Sequence, residues 1–129
     1  MTTITFRAAV VAAALGLATA ASADPVEGLW RSQPGETGAS VDVSIAACGS
    51  RICGTIAGVN GSGNPAVVGR QIIWDMAPAG NGAYLGGRIW APDQDRTYNG
   101  KMTLTGADRL KVEGCVLVVC RGQVWSRIE

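Results

Sequence analysis

Aromatic rings and guanidinium groups in the second half of the chain are the side chains best suited to recognise a ligand. Rings beside cations suit a small amphipathic molecule, such as a carboxylate with an apolar tail, because the rings cover the tail and a guanidinium pairs with the head. Arg70 or Arg88 would meet that head. The predicted ligand-binding residues are Arg70, Trp74, Tyr84, Arg88, Trp90 and Tyr98.

The strand that carries most of these residues decides how they are arranged. Strict alternation predicts that Tyr84, Arg88 and Trp90 share one face, with Tyr98 across the following turn. The alternative is that the same rings fill the core of a small barrel or cover its outside, because a small barrel fills its interior with side chains.

Catalytic groups are scarce in this chain. It has no histidine, which removes Ser-His-Asp and Cys-His catalysis and the commonest metal ligand. Asp93 and Asp95 could pair as in a glycosidase, but they lie in a turn, where aspartate is common for backbone reasons. We therefore predict no enzymatic activity, no cofactor and no metal site.

Four cysteines, Cys48, Cys53, Cys115 and Cys120, point to disulfide bonds if the chain is exported. Three pairings are possible. We favour Cys48 with Cys53 and Cys115 with Cys120, because strand-like segments flank each pair and a hairpin brings such residues within bonding range. A metal site would need a different spacing and a reducing compartment.

The first 23 residues have the pattern of a cleaved secretory signal peptide. Arg7 precedes an apolar run over residues 8–18, and Ala21-Ser22-Ala23 is typical of a cleavage site, which places the cut between Ala23 and Asp24. The apolar run is shorter than the roughly 20 residues that span a bilayer. No cysteine follows the cut, so a lipoprotein is not expected. The prediction is a periplasmic or secreted protein without a transmembrane segment.

Residues 24–129 are predicted to form one domain of balanced charge. Without Arg7, the chain has ten basic and ten acidic residues, so its formal net charge is zero. This charge gives no support for nucleic acid or anionic lipid as a partner. Short alternating segments, such as Val41, Val43 and Ile45, recur between loops rich in glycine, proline and asparagine. About eight such strands and no convincing helix predict an all-β antiparallel barrel or sandwich.

Two further features concern the ends of such a barrel. Trp30 on the first strand and Arg127 on the last would be neighbours in a closed meander, with the guanidinium over the ring to plug one end; the alternative is a ligand platform on Trp30. Val116–Val119 is either an exposed hairpin tip, which would suit a partner or a membrane surface, or a plug over the barrel end.

Several short motifs occur in a specific order. They are Gly28-Leu29-Trp30, Ile52-Cys53-Gly54-Thr55-Ile56, Gly86-Gly87-Arg88-Ile89 with Pro92 and Tyr98, Gly114-Cys115 with Cys120, and Trp125-Ser126-Arg127. In these motifs the chain resembles a domain-of-unknown-function family of small exported bacterial proteins that look lipocalin-like. The resemblance covers residues 24–129 and implies a small up-and-down lipocalin-like β-barrel, with Trp30 and Arg127 as the first-strand and last-strand pair. Asp95 stands where this family commonly has glycine.

Two functions follow as hypotheses. The first is a binding module for a small hydrophobic or amphipathic ligand, such as a fatty acid or lipid fragment. The second is a structural or protein-interaction module of the cell envelope with a filled barrel and no ligand. An internal cavity long enough for an acyl chain would favour the first, and an interior packed by Trp74, Trp90 and Met102 would favour the second.

Overall fold

The computed structural model describes residues 23–129, so the predicted signal peptide lies, apart from Ala23, outside the described residues. Eight antiparallel strands close into a barrel, which confirms the predicted fold. The strands are β1 (Gly28–Arg31), β2 (Ser40–Cys48), β3 (Arg51–Asn60), β4 (Gln71–Gly80), β5 (Ala83–Ala91), β6 (Arg96–Gly106), β7 (Arg109–Val116) and β8 (Val119–Arg127), with one short 3₁₀ helix over Pro65–Val67. Over the residues described, no helix is long and apolar enough to cross a membrane.

Each strand pairs with the next one in sequence, and β8 returns to pair with β1 through Trp30 and Arg127. The connections therefore alternate between two ends of the barrel. The terminal end holds both ends of the described chain and the β2–β3, β4–β5 and β6–β7 turns. The loop end holds the β1–β2, β3–β4, β5–β6 and β7–β8 connections.

The interior of the barrel is packed with side chains. Its fully buried members include Trp30, Val43, Ile73, Met76, Met102 and Leu110. A methyl group added at Gly100 would lie 2.6 Å from Ile89 Cδ1 and 3.0 Å from Met76 Cε, and one at Gly54 would lie 3.0 Å from Ile73 Cδ1. Neighbouring side chains thus occupy the space above these glycines, as expected for an interior packed at crystal-like density.

The terminal end is plugged as the Trp30–Arg127 pair predicts. The Trp30 indole N–H donates to the Val26 carbonyl at 2.8 Å, and the Arg127 guanidinium lies 4.3 Å from the Trp30 ring. Arg127 also donates to the carbonyls of Ala107, Glu27 and Pro25 at 2.8, 2.8 and 2.6 Å. One side chain therefore ties the last strand, the β6–β7 turn and the N-terminal segment together.

Both predicted disulfides are present. Cys48–Cys53 joins β2 to β3 beside their turn, and Cys115–Cys120 joins β7 to β8 just below the tip of that hairpin. Two disulfides fit an extracellular or periplasmic location, where thiols are oxidised.

A bulge in β5 separates Tyr84 from the face that Arg88 and Trp90 share, so the predicted common face of all three residues is wrong. The register against β6 shifts between Tyr84 and Gly87, and Gly86 has φ +73°. One extra residue reverses the direction of every side chain beyond it. Tyr84 therefore points inward with Met102, whereas Arg88 lies between two buried residues and points outward.

Candidate functional site

The structure does not bring the six predicted ligand-binding residues together. Tyr84 is in the core at the terminal end, Trp74 and Arg88 are opposite each other on the outer face of β4 and β5, and Arg70, Trp90 and Tyr98 are at the loop end. The prediction of one binding site formed by all six residues is therefore wrong, and the residues at each of the three places are considered separately.

Tyr84 belongs to the plug of the terminal end. It is 4% exposed, and its hydroxyl donates to the Asp24 carboxylate. Burial, and then the hydrogen bond to Asp24, raise the pKa of Tyr84 far above its ordinary value. The sequence offered no sign of this partner, because 60 residues separate the two side chains.

At the loop end, Arg70 contacts Trp90, and both Trp90 and Tyr98 donate hydrogen bonds to the β5–β6 turn. The Arg70 guanidinium lies 3.7 Å from the centre of the Trp90 ring, and the Trp90 indole N–H donates to Asp95 Oδ1 at 3.0 Å. Asp95 has φ +49°, which explains why glycine suits this position in the family pattern. The Tyr98 hydroxyl donates to Gln94 in the same turn. These contacts stabilise the β5–β6 turn and leave the outer side of Arg70 exposed.

Two shallow depressions lie on the outside of the barrel. The first, of about 270 Å³, is lined by Trp74, Asp75, Arg88 and Thr97. The second, of about 240 Å³, lies over the β5 bulge and extends to Cys115. The first combines an aromatic ring with an exposed cation, as the sequence predicts for Trp74 and Arg88, and it lies on the surface of the barrel.

The structure decides between the two arrangements proposed for Val116–Val119: the segment is an exposed tip. Val116 and Val119 are 57% and 63% exposed, and Leu117 and Val118 are 93% and 96% exposed. Sequence reasoning missed the exposed cation beside it, Arg121 on β8. Its closeness in sequence to the apolar run was the available signal.

Potential metal ligands also meet at one place. Cys48, Cys53 and Asp75 have ligand atoms within 4.8 Å of one another. Both sulfurs are engaged in the disulfide, so they are not thiolates and this trio is not a metal-binding set.

A closed barrel of eight up-and-down strands, plugged at one end by a Trp–Arg pair, is a lipocalin-like fold. The chain belongs to the family DUF2147, described as an uncharacterized protein conserved in bacteria, whose model matches residues 28–127. A solved structure from Helicobacter pylori, protein HP1028, described as belonging to the lipocalin family, is similar in fold. It has a TM-score of 0.67 and 14% sequence identity over 80% of this chain and 82% of that one. No curated protein matches.

Proposed function

We propose that this protein is an exported, ligand-free interaction module of the cell envelope that works through its outer surface and not through an internal ligand cavity. The packed interior carries this proposal. An acyl chain inside the barrel would have to displace Met76 and Met102, both fully buried, and the glycines beside them leave no spare room. Of the residues named for a solid interior, Met102 lies inside the barrel and Trp74 lies on the outer face. Trp90 is buried, but it shares the face of β5 that carries Arg88 and is covered by Arg70.

Export and cleavage before Asp24 are part of this proposal and have structural support. The Asp24 backbone nitrogen lies 2.6 Å from Glu27 Oε2, and the segment that begins at Asp24 plugs the terminal end. If the signal peptide is removed there, the new terminal ammonium is placed to pair with Glu27. The two disulfides are consistent with the oxidising compartment that follows export.

A small amphipathic ligand is the second candidate, because lipocalin-like barrels are suited to small molecules and the Trp74–Arg88 depression offers a ring beside a cation. Such a ligand would bind on the surface, with its carboxylate on Arg88. Replacing Arg88 with alanine should then weaken carboxylate binding, whereas Arg51→Ala, at an exposed arginine on the opposite end of the barrel, should not.

Native mass spectrometry of the mature protein isolated from its own periplasm tests the proposal. We expect a bare mass, with both disulfides formed, that stays bare after incubation with mixed fatty acids. A reproducible adduct that is extracted as a fatty acid or lipid would overturn the ligand-free module. If Arg88→Ala then removed the adduct, the second candidate would replace it.

A further inference from the structure

We infer that the hairpin tip Val116–Val119 inserts into the apolar layer of a lipid membrane and docks the barrel on it. The inference rests on the proposed function, because it requires that the working surface is the outside of the barrel. It names the partner of that surface as a lipid bilayer.

The chemistry of the tip favours lipid over protein. Four consecutive aliphatic residues form the end of a two-residue hairpin turn, and the two central ones are almost fully exposed. A convex, purely aliphatic point lacks the aromatic anchors and hydrogen-bonding groups that enrich protein interfaces. A bilayer can surround such a point on all sides and remove it from water.

The backbone of the tip indicates that these residues are not there for the turn. Leu117 has φ +54°, a conformation that disfavours a bulky side chain. The other non-glycine residues of positive φ in the described chain are Asp75, Asn81 and Asp95, which are types that tolerate it. In the β4–β5 turn the chain uses Asn81-Gly82 instead. An aliphatic residue in an unfavourable and exposed position points to a function of the side chain.

The rest of the hairpin holds the tip in a rigid, protruding position. The Cys115–Cys120 disulfide lies one residue pair below the Val116–Val119 pair, so the hairpin end cannot separate. Arg121 lies two residues beyond Val119 and forms no ion pair within the described chain. Its guanidinium can pair with a lipid phosphate. Asp93 and Asp95, in the neighbouring turn, offset this charge, so binding should depend mainly on apolar insertion and only weakly on salt.

Co-sedimentation of the oxidised mature protein with vesicles tests the inference. The vesicles are phosphatidylcholine alone and a phosphatidylethanolamine–phosphatidylglycerol mixture. We expect the wild type to bind both, and the double variant Leu117→Gly/Val118→Ser to bind at least about tenfold more weakly, because it loses two apolar side chains from the membrane. Leu85→Ser, at an exposed leucine on the outside of β5, is the matched control and should bind as the wild type does.

Three results would overturn the inference: no binding of the wild type to either vesicle, equal binding by the double variant, or binding only to the anionic vesicle that high salt abolishes. The first, combined with a bare native mass, would leave the proposed interaction module in place and point to a protein pocket as the partner of the tip. A fatty-acid adduct would instead overturn the proposed function, whatever the vesicles show.

Discussion

Gly100 shows how closely the interior is packed around single atoms. A Cβ there would meet Ile89 at 2.6 Å, in the middle of β6 and away from any turn. Gly100→Ala should therefore lower the free energy of unfolding by about 1–3 kcal/mol, as overpacking does. Gly106→Ala, where a Cβ meets open space, is the control and should be neutral or slightly stabilising. Urea denaturation of both variants checks this. Equal midpoints would mean that the interior holds free space, which would also reopen the internal ligand site.

Arg127 is the residue whose role the sequence predicted best, because it needs only the closure of a meander and the preference of guanidinium for an indole face. The three carbonyls that it contacts were not predictable, since they lie up to 102 residues away. Arg127→Lys keeps the charge but loses the fork of donors. We expect it to lower the free energy of unfolding by about 1–3 kcal/mol.

Arg31→Lys is the matched control for that substitution. Arg31 forms its ion pair with Asp42 on the outer face at 2.9 Å, and the Arg31 side chain is 47% exposed, so the change should be below about 1 kcal/mol. Equal effects of the two substitutions, measured in the same denaturant titration, would show that Arg127 does not tie the terminal end together.

The hairpin turns allow a reciprocal pair of predictions. Leu117→Gly should raise the free energy of unfolding by roughly 0.5–1 kcal/mol. The substitution removes the cost of about 1–2 kcal/mol that leucine has in the left-handed conformation, and it adds the smaller cost of ordering the more flexible glycine backbone. Asn81→Leu, at φ +55° in the β4–β5 turn, should lower it by about 1 kcal/mol. Thermal denaturation of both variants checks the signs. A less stable Leu117→Gly variant would mean that the leucine supports the fold, which would remove the backbone argument for a docking tip.

Strand positions and cystine pairing could be predicted from the sequence because both depend on local patterns. The face of Arg88 could not, because the bulge at Gly86 leaves no mark that distinguishes it from the adjacent Gly87. One inserted residue was enough to separate Tyr84 from Arg88 and to divide the predicted site. Candidate sites on glycine-rich strands are therefore less predictable than the strands themselves.

The filled interior was also beyond the sequence, since it depends on how Ile89 and Met76 occupy the space above Gly100. Strand number and short connections predicted a barrel or a sandwich, and the family resemblance implied the barrel, but neither determines the space left inside. A lipocalin-like fold therefore does not establish a ligand for this chain, and the exposed hairpin becomes the stronger candidate for its working surface.

The plug of the terminal end makes the stability of the barrel sensitive to alkali. Burial raises the pKa of Tyr84 in the folded protein, so folding retains a proton that the unfolded chain releases above its ordinary pKa of about 10. The stabilisation is complete below that pH and is lost as pH rises further, by up to about 1.4 kcal/mol per pH unit. Urea midpoints between pH 9 and about pH 11 should therefore fall for the wild type, and Tyr84→Phe should flatten the fall. Tyr84→Phe should also be less stable at neutral pH, because it loses the hydrogen bond to Asp24.

Tyr98→Phe, at the loop end, is the matched control and should retain the wild-type slope. An unchanged slope in Tyr84→Phe would show that the phenol is not sealed beneath the N-terminal segment, and that this end of the barrel is open.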